Sequence, residues 1–418
     1  MNNYNDIDSE LIRRDFQITK KKIYMNNGSI APTPLSTIKS ITDTLLRYSI
    51  EGPDSKTVNE YITSLIRDLR NRISHLINCE PKEIIFTQST TEGINCVCNG
   101  IDWKATDSII VRGGPHEHYA NYLPWLNVSK IKRVKLIELK IDENGYFDLT
   151  DLERLLSSST ARMENKKTMI ATARKTRRGE NNATTRLITL SHALYNNGAI
   201  MPVEEVGKIA NTNNVLFCID AAQTVGSINV DVKKIHCDFM VFPAFKWVCG
   251  PLGIGILYCN ERAAEILSPQ SIGSESATLS DQKVIGYLES PQKFQAGFRN
   301  YPGLAGLESS LKYILRLGIA NIHRRNTKIA NVLRNELSKI PDVKIYGPED
   351  ENMRTSIVSF SSIKMSSQTI VNKLEENEII FAERDVGRGR KAVRASPHFF
   401  NSEEESVHAA DHIRSILK

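Results

Sequence analysis

Short apolar runs alternate with segments of helical periodicity over the middle of this sequence. Segments with the spacing of amphipathic helices, such as TTEGINCVCNGI and PVEEVGKIANTNN, separate runs of strand length. The runs are EIIFTQ, DSIIVRG, KLIELKI, TRLITLSH, NVLFCID, DFMVFPA and GIGILYC. This alternation predicts an α/β fold with a mainly parallel sheet of seven strands, covered by helices on both faces. In such sheets ligands bind beyond the carboxyl ends of the strands, so we expect functional residues directly after them.

The sequence on either side of this alternation predicts the domain organisation. Residues 1–22 are polar and charged, and we expect an arm that packs with the small domain. We assign residues 23–300 to a large domain, which includes two helices predicted by apolar spacing over residues 35–78. Residues 301–418 contain long amphipathic segments, the strand-like runs TSIVSFSSI and KAVRASPHF, and a final helix. They predict a smaller α+β domain.

The composition excludes several classes of protein. Of 418 residues, 40% are hydrophobic and 24% are charged, which is typical of a globular protein and excludes a wholly disordered chain. No apolar run approaches the roughly 18–20 residues of a membrane span, which excludes an integral membrane protein. The start, MNNYNDIDSELIRRDF, lacks the apolar core of a secretory signal, and the seven cysteines form no CxxC pair. These observations predict a cytoplasmic enzyme with reduced thiols.

Two features suggest other functions. Cys96 and Cys98 resemble a CxC metal pair, but residues two apart on a helix point in different directions, so we predict buried small residues and no metal site. Residues 161–186 are longer than a connection between a helix and a strand requires. They contain eight basic residues, Arg162, Lys166, Lys167, Arg174, Lys175, Arg177, Arg178 and Arg186. We favour a solvated surface insertion over a docking patch for nucleic acid or an acidic partner, because no nucleic-acid-binding motif accompanies it.

Lys246 and Asp220 are the main candidates for chemistry. Asp220 ends the apolar run NVLFCID, although a lone Asp in such a place more often caps a helix. Lys246 follows the run DFMVFPA between Phe245 and Trp247, and such apolar surroundings lower the pKa of an amine and favour the neutral nucleophile. A lysine and an aspartate at strand ends are the groups that pyridoxal phosphate requires. The lysine forms an imine with the aldehyde, and the aspartate keeps the pyridine nitrogen protonated.

The phosphate of such a cofactor needs hydrogen-bond donors. The segment FTQSTTEGIN places Ser89, Thr90 and Thr91 between a strand and a helix, where hydroxyl and free backbone N–H groups form an anion site. The same residues also fit a capping box closed by Glu92, which is the structural alternative. His118, in GPHEHYANYLPW, follows another strand; it either stacks on a flat cofactor ring or is a structural loop residue.

The order of these motifs is more specific than any one of them. The chain contains, in order, TTEGIN, EHYANYLPW, LSHALYNNG, IDAAQ, FKWVCGPLGIGILY and VRASPHFFN. Over residues 24–401 it resembles the class V aminotransferase family of fold-type I pyridoxal phosphate enzymes, chiefly through D-A-A-Q followed by K-W-x-x-G-P-x-G-x-G. That family includes cysteine desulfurases, selenocysteine lyases, isopenicillin N epimerases and kynureninases.

The resemblance implies a role for each site residue. The residues that it assigns to the cofactor are Thr90, Thr91, His118, Asp220, Gln223 and Lys246. Lys246 would form the Schiff base, Asp220 would contact the pyridine nitrogen, and Gln223 would contact the phenolate oxygen. His118 would stack on the ring and act as an acid or base. Lys246, His118 and Asp220 are thus the predicted catalytic residues.

The resemblance also implies a substrate site. Arg394, in VRAS, would bind the substrate carboxylate, for which a planar guanidinium is well suited. Asn27 belongs to the N-terminal loop that would line this site. Tyr195 takes the position of an asparagine that the family has in SHVSN.

The sequence departs from the family around the phosphate. Family members often have Ser-x-His-Lys where this chain has Pro243, Ala244 and Phe245 before the lysine. They also often have a Gly-Thr, donated by the second subunit of a homodimer, where this chain has Gly297 followed by Phe298 and an arginine. Three phosphate donors are therefore missing. Either Arg299 or backbone amides replace them, or the cofactor is held less tightly.

The resemblance implies an enzyme that acts on an amino acid as an aminotransferase, a C–S or Cβ lyase, or an epimerase. A cysteine desulfurase or selenocysteine lyase is one alternative. A non-catalytic binding protein is another, and the intact Lys246, Asp220 and Gln223 argue against it.

The segment before Arg394 argues against one type of desulfurase. A desulfurase that carries a persulfide has a cysteine on this loop, but residues 381–396 contain none. They contain instead four cations, Arg384, Arg388, Arg390 and Lys391. These cations suit either a substrate with a second anionic group or a solvated basic loop, and both alternatives stay open.

Overall fold

The computed structural model describes residues 9–114, 116–157, 184–387 and 389–418. The α-helices are α1 (Ser9–Asp15), α2 (Leu35–Glu51), α3 (Lys56–Ile77), α4 (Thr90–Gly100), α5 (Tyr119–Lys132), α6 (149–157), α7 (Val203–Thr212), α8 (Val232–Ile235), α9 (Glu261–Ile266), α10 (Tyr301–Leu317), α11 (Ile319–Ser338), α12 (Ser367–Glu375) and α13 (Glu403–Ile416). The strands are β1 (Ile23–Tyr24), β2 (Ile84–Thr87), β3 (Asp107–Val111), β4 (Lys135–Glu138), β5 (Thr184–Ser191), β6 (Leu216–Asp220), β7 (Phe239–Pro243), β8 (Gly255–Cys259), β9 (Ala277–Leu279), β10 (Ile285–Tyr287), β11 (Val343–Tyr346), β12 (Val358–Ser362), β13 (Ile379–Ile380), β14 (Ala382–Asp385) and β15 (Lys391–Ala395). Short 3₁₀ helices cover Gln17–Lys20, Pro81–Glu83, Gln292–Phe294 and Glu351–Met353.

The central sheet has seven strands in the order β2-β8-β7-β6-β5-β3-β4. Strand β8 is antiparallel to both of its neighbours, and the strands from β7 to β4 pair in parallel. The sheet is therefore mainly parallel, which confirms the predicted fold class. In the register of the sheet Ser191 pairs with Asp220, and Asp220 pairs with Val241. The carboxyl ends of β5, β6 and β7 consequently lie side by side.

Apolar side chains cover both faces of this sheet. In β6, Phe217 and Ile219 pack in the core on one face, whereas Leu216 and Cys218 pack in the core on the other. The alternation follows from the two-residue repeat of a strand. Residues of α3, α7 and α10 belong to the first core, and residues of α4, α5 and α9 belong to the second. The buried sheet thus forms a rigid base for the loops at its edge.

A second, antiparallel sheet with the strand order β11-β12-β15-β14 lies in the C-terminal part of the chain. Strand β1 joins this part by pairing in parallel with β13, although the sequence pattern assigned its residues to the large domain. Arg13 of α1 also contacts the C-terminal part, since its Nη1 lies 2.7 Å from Glu405 Oε1. The division of the chain at residues 22 and 300 stays a prediction.

Most of the predicted basic insertion lies outside the described residues. Of its eight basic residues only Arg186 is described, and it lies within β5 rather than in a surface connection. Within the described ranges, no helix is long and apolar enough to cross a membrane. The same part of the chain contains no group of three or more His, Cys, Asp or Glu residues placed to hold a metal ion. A cytoplasmic location stays a prediction.

Candidate active site

A pocket lies at the carboxyl ends of β5, β6 and β7, facing the N-termini of α4 and α5. Its lining residues are Ser89, Thr90, Thr91, His118, Ala120, Ser191, Ala193, Tyr195, Asp220, Ala222, Gln223, Pro243, Phe245 and Lys246. All the residues predicted to contact the cofactor are among them, together with Tyr195. Arg394 and Asn27 are not. The pocket thus occupies the position at which ligands bind in parallel α/β sheets.

Asp220 and Lys246 bring opposite charges into this pocket. Asp220, the last residue of β6, is 5% exposed, and its Oδ1 accepts a hydrogen bond from the N–H of Ala222 at 2.9 Å. Burial raises the pKa of Asp220 to about 6, although the charge of Lys246 opposes the shift. Burial lowers the pKa of Lys246 to about 8, against the attraction of Asp220 and with the help of the positive charges of Arg394 and Arg384. The amine therefore reaches its neutral form at a lower pH than an ordinary lysine does.

Gln223 is held in one orientation by two hydrogen bonds. Its Nε2 donates to the carbonyl oxygen of Gly28 at 2.9 Å, and its Oε1 accepts from Trp247 Nε1 at 2.9 Å. Both Gln223 and Trp247 are buried. Because an amide nitrogen has two hydrogens, one N–H of Gln223 remains available to a ligand in the pocket.

The N-terminus of α4 forms the opposite end of the pocket. Ser89 caps the helix, since its Oγ accepts from the N–H of Glu92 at 3.1 Å, and the Glu92 carboxylate accepts in return from the N–H of Gln88. The cap by Ser89 is therefore present, but the capping box is incomplete, because Glu92 accepts from the residue before the N-cap rather than from Ser89 itself. Thr90 is also buried, but its Oγ1 has no hydrogen-bond partner among the described residues. The first amides of a helix likewise lack partners within the helix, so this end of the pocket offers unused donors to an anion.

His118 caps α5 and faces Tyr195. Its Nδ1 accepts from the N–H of Ala120 at 3.1 Å, so that in the neutral ring the proton lies on Nε2. The rings of His118 and Tyr195 make an edge contact at 5.0 Å between their centroids. Burial lowers the pKa of His118 to about 4, and the nearby charge of Lys246 acts in the same direction. His118 is thus a neutral ring on the wall of the pocket.

A buried ion pair behind His118 is a feature that the sequence reasoning missed. Glu117 and Arg112 are almost completely buried, and Arg112 Nε donates to Glu117 Oε2 at 3.1 Å. The same carboxylate accepts from Asn121 Nδ2 at 3.2 Å and from the hydroxyl of Ser191. Ser191 lines the pocket at the end of β5, so the ion pair is hydrogen-bonded to a residue of the pocket wall. The signal in the sequence was a pair of charges in VRGGPHEH, with Arg112 directly after a buried strand and Glu117 five residues later.

Arg394 reaches the site from β15. It is 1% exposed, and its Nη1 donates to the carbonyl oxygen of Tyr195 at 2.8 Å. Its Nη2 donates to Asn26 Oδ1 at 3.0 Å and to Ser29 Oγ at 2.5 Å. Its Nε is buried and has no hydrogen-bond partner among the described residues. The guanidinium is therefore held by neutral groups and retains an unused donor.

The remaining predicted residues occupy different places. Asn27 is fully buried, and its Nδ2 donates to the carbonyl oxygen of Ser396 at 2.8 Å. It therefore supports the N-terminal loop, whose residues Asn26 and Ser29 contact Arg394. Pro243 and Phe245, which replace expected phosphate donors, both line the pocket. Phe298 is 86% exposed and lies outside it. None of these three side chains has a polar atom for a phosphate.

The residues of the pocket fit pyridoxal phosphate. The buried Asp220 carboxylate suits a protonated ring nitrogen, the free N–H of Gln223 suits a ring oxygen, and the amine of Lys246 suits the aldehyde. The unused hydroxyl of Thr90 suits a phosphate oxygen. This hydroxyl carries the most weight, because buried polar atoms without a partner are rare in proteins.

Comparison with known proteins identifies the family. The family model for class-V aminotransferases matches residues 23–168 and 174–405, which include every residue of the pocket. The chain belongs to the class-V aminotransferase family. This membership confirms the predicted resemblance, and with it the prediction of a pyridoxal phosphate enzyme.

Similar class-V proteins cover almost the whole chain. A probable cysteine desulfurase of Methanothermobacter thermautotrophicus is 30% identical over 416 residues, which are 95% of this chain and 95% of that protein. The apo structure of a cysteine desulfurase from Thermococcus onnurineus superimposes with a TM-score of 0.86 at 27% identity and covers 98% of both chains. A variant of the lyase C-DES, with glycine covalently linked to its pyridoxal phosphate cofactor, superimposes with a TM-score of 0.82 at 24% identity over 97% of this chain and 98% of that one. The last comparison bears on the fold alone.

Proposed function

We propose that the protein is a pyridoxal phosphate enzyme that acts at the α-carbon of an amino acid. The placement of Lys246 and the buried Asp220 in one pocket carries this proposal. When bound, the cofactor withdraws electrons from the α-carbon of the substrate. Asp220 holds the proton on the ring nitrogen through its negative charge. Lys246 Nζ, which becomes neutral near pH 8, accepts the proton from the α-carbon and returns it.

The other residues of the pocket bind and orient. Thr90 Oγ1 and the first amides of α4 bind the phosphate, and the free N–H of Gln223 binds the phenolate oxygen. The neutral ring of His118 covers one side of the cofactor and keeps water away from the α-carbon. Arg394 binds the α-carboxylate of the substrate, because its guanidinium already meets only neutral groups.

Among the reactions open to such a site, we favour lyase, aminotransferase or epimerase chemistry without a protein-bound persulfide. Persulfide transfer needs a cysteine thiolate that reaches the substrate. All seven cysteines lie between residues 79 and 259, and none lines the pocket. Six are buried, and burial raises the pKa of the seventh, Cys96, to about 11. These thiols are therefore protonated near neutral pH and lie outside the pocket.

A cysteine desulfurase is the second candidate, because the similar proteins described above bear that name. The two candidates differ in one product. A desulfurase that uses its own thiol forms an enzyme persulfide when it meets L-cysteine, whereas an enzyme that works without one releases its products directly.

The test starts from the purified protein loaded with pyridoxal phosphate. We expect a visible absorption band that changes when an amino acid substrate is added, and a screen of amino acids identifies the responsive ones. Alkylation after incubation with L-cysteine, followed by mass spectrometry, should find no persulfide on any of the seven cysteines. A persulfide that forms and decays at the rate of turnover would favour the second candidate. No spectral response to any amino acid would contradict the proposal itself.

We further propose that the enzyme works as a homodimer in which Arg299 helps to hold the phosphate of the other subunit. Its Nε is buried without a hydrogen-bond partner among the described residues, and its Nη2 donates to the carbonyl oxygen of Phe294 at 2.9 Å. The adjacent Phe298 is strongly exposed, which is favourable for an interface. Sedimentation of a fully active monomer would contradict this arrangement.

A further inference from the structure

Two arginines converge on one serine at the edge of the active site. Arg384 of β14 and Arg394 of β15 each donate through Nη2 to Ser29 Oγ, and both contacts are 2.5 Å long. The two nitrogens can therefore be no farther apart than twice that distance. The Ser29 hydroxyl in turn donates to Asn26 Oδ1 at 2.7 Å, so its hydrogen-bonding capacity is fully used.

Neither guanidinium meets a carboxylate in the described part of the chain. The remaining contact of Arg384 is from Nη1 to the carbonyl oxygen of Glu383, at 2.6 Å. Arg394 contacts only the carbonyl oxygen of Tyr195 and side-chain oxygens of neutral residues. Two like charges held this closely by neutral oxygens attract an anion, since Arg394 is buried, Arg384 is half-buried, and buried charges in proteins are normally paired.

The charge of Arg384 also acts on the reaction centre. Its positive charge contributes to the lowered pKa values of both His118 and Lys246, which line the pocket. The other described cations of the same loop, Arg390 and Lys391, are not among the causes of these two pKa shifts. Lys391 is exposed and lies 3.8 Å from Asp385, and Arg390 donates to the carbonyl oxygen of Gly387 at 3.2 Å. Arg384 thus differs from the other described cations of the loop, because its charge acts on residues of the pocket.

The charges expected in the loaded site leave Arg384 without an anionic partner among the described residues. The phosphate lies at the N-terminus of α4, and Asp220 is committed to the ring nitrogen. The α-carboxylate of the substrate is a single anion and is matched by the single guanidinium of Arg394. We propose that Arg384 is a second anion subsite, and that the substrate is an α-amino acid whose side chain ends in an acidic group. This inference rests on the proposed function and specifies its substrate class.

The test compares amino acids that differ only in side-chain charge. The wild-type protein, loaded with pyridoxal phosphate, is titrated with L-aspartate against L-asparagine and with L-glutamate against L-glutamine, and the change in visible absorption is recorded. We expect at least one acidic amino acid to bind about 10- to 100-fold more tightly than its amide, as is typical of hydrogen bonds to charged groups. Arg384→Gln should remove most of that preference and leave the affinity for the amide within about three-fold.

Two control variants make the result specific. Lys391→Gln removes a charge from the exposed loop and should leave the preference unchanged. Arg384→Lys retains a charge and should retain part of the preference, which excludes a general loss of structure. Equal binding of acid and amide by the wild type, or an equal loss for both in Arg384→Gln, would overturn the inference and leave the proposed function intact. A protein that responds to no amino acid would overturn both.

Discussion

Removal of one partner from the ion pair between Arg112 and Glu117 should strongly destabilise the protein, and Glu117→Ala tests this. The carboxylate accepts from Arg112 Nε, from Asn121 Nδ2 and from Ser191, whose backbone N–H lies 3.3 Å from Oε2. Arg112 Nη2 lies 3.1 Å from the same oxygen, within ion-pair distance. Both side chains are at most 1% exposed, so water cannot replace the lost contacts.

The expected magnitude follows from this burial. Removal of one partner leaves Arg112 with an uncompensated charge in the interior, which costs about 3–5 kcal/mol in other proteins. The other support for Arg112 is the hydrogen bond from Nη1 to the carbonyl oxygen of Gly145, and a neutral oxygen does not compensate a full charge. We therefore expect the free energy of unfolding to fall by about 3–5 kcal/mol in Glu117→Ala.

The assay is urea unfolding of the pyridoxal phosphate-loaded protein, followed by far-ultraviolet circular dichroism. Asp43→Ala is the matched control, because it removes a carboxylate from an exposed ion pair with Lys39 that has a 2.6 Å contact. That variant should change the free energy by no more than about 0.5 kcal/mol. The double variant of Arg112 and Glu117 to alanine should lose less than the sum of the two single variants. If Glu117→Ala is no less stable than Asp43→Ala, the reasoning from buried charge is wrong.

Three further predictions concern the site itself. Lys246→Ala should abolish turnover and the visible band of bound cofactor while the far-ultraviolet circular dichroism spectrum stays that of the wild-type fold, and ordinary activity in this variant would refute its role as the covalent anchor. Asp220→Ala should lose more activity than Asp220→Glu, because only glutamate keeps a negative charge near the ring nitrogen; equal rates for the two would contradict that role. The rate at which the cofactor-free protein binds pyridoxal phosphate covalently should rise with pH through a midpoint near 8. Burial lowers the pKa of Lys246 to about 8, and the amine reacts in its neutral form, which predominates above that pH. A midpoint near the ordinary lysine value of 10.5 in a stopped-flow measurement would show that the lysine is not desolvated.

The central part of the fold follows closely from the sequence. The apolar runs that predict strands correspond to β2 to β8, and the helical segments between them correspond to helices such as α4 and α7. The reversal of β8 was not predicted, because an apolar run does not encode the direction in which it pairs. The short strand β13 was also missed, because two residues are too few to show a period.

The sequence alone determined which groups stand at the ends of the strands. Asp220 and Lys246 each directly follow an apolar run, and local periodicity places such residues at the ligand-binding edge of a parallel sheet. Only the tertiary structure decided which distant groups join them. Ser29 and Arg384 are separated by 355 positions, yet they share a hydrogen bond because the N-terminal loop crosses the C-terminal sheet. Local pattern indicates the near neighbours of a residue, whereas partners of this kind depend on how whole elements pack together. That packing brings Arg384, which the sequence could only place in a basic loop, next to Arg394.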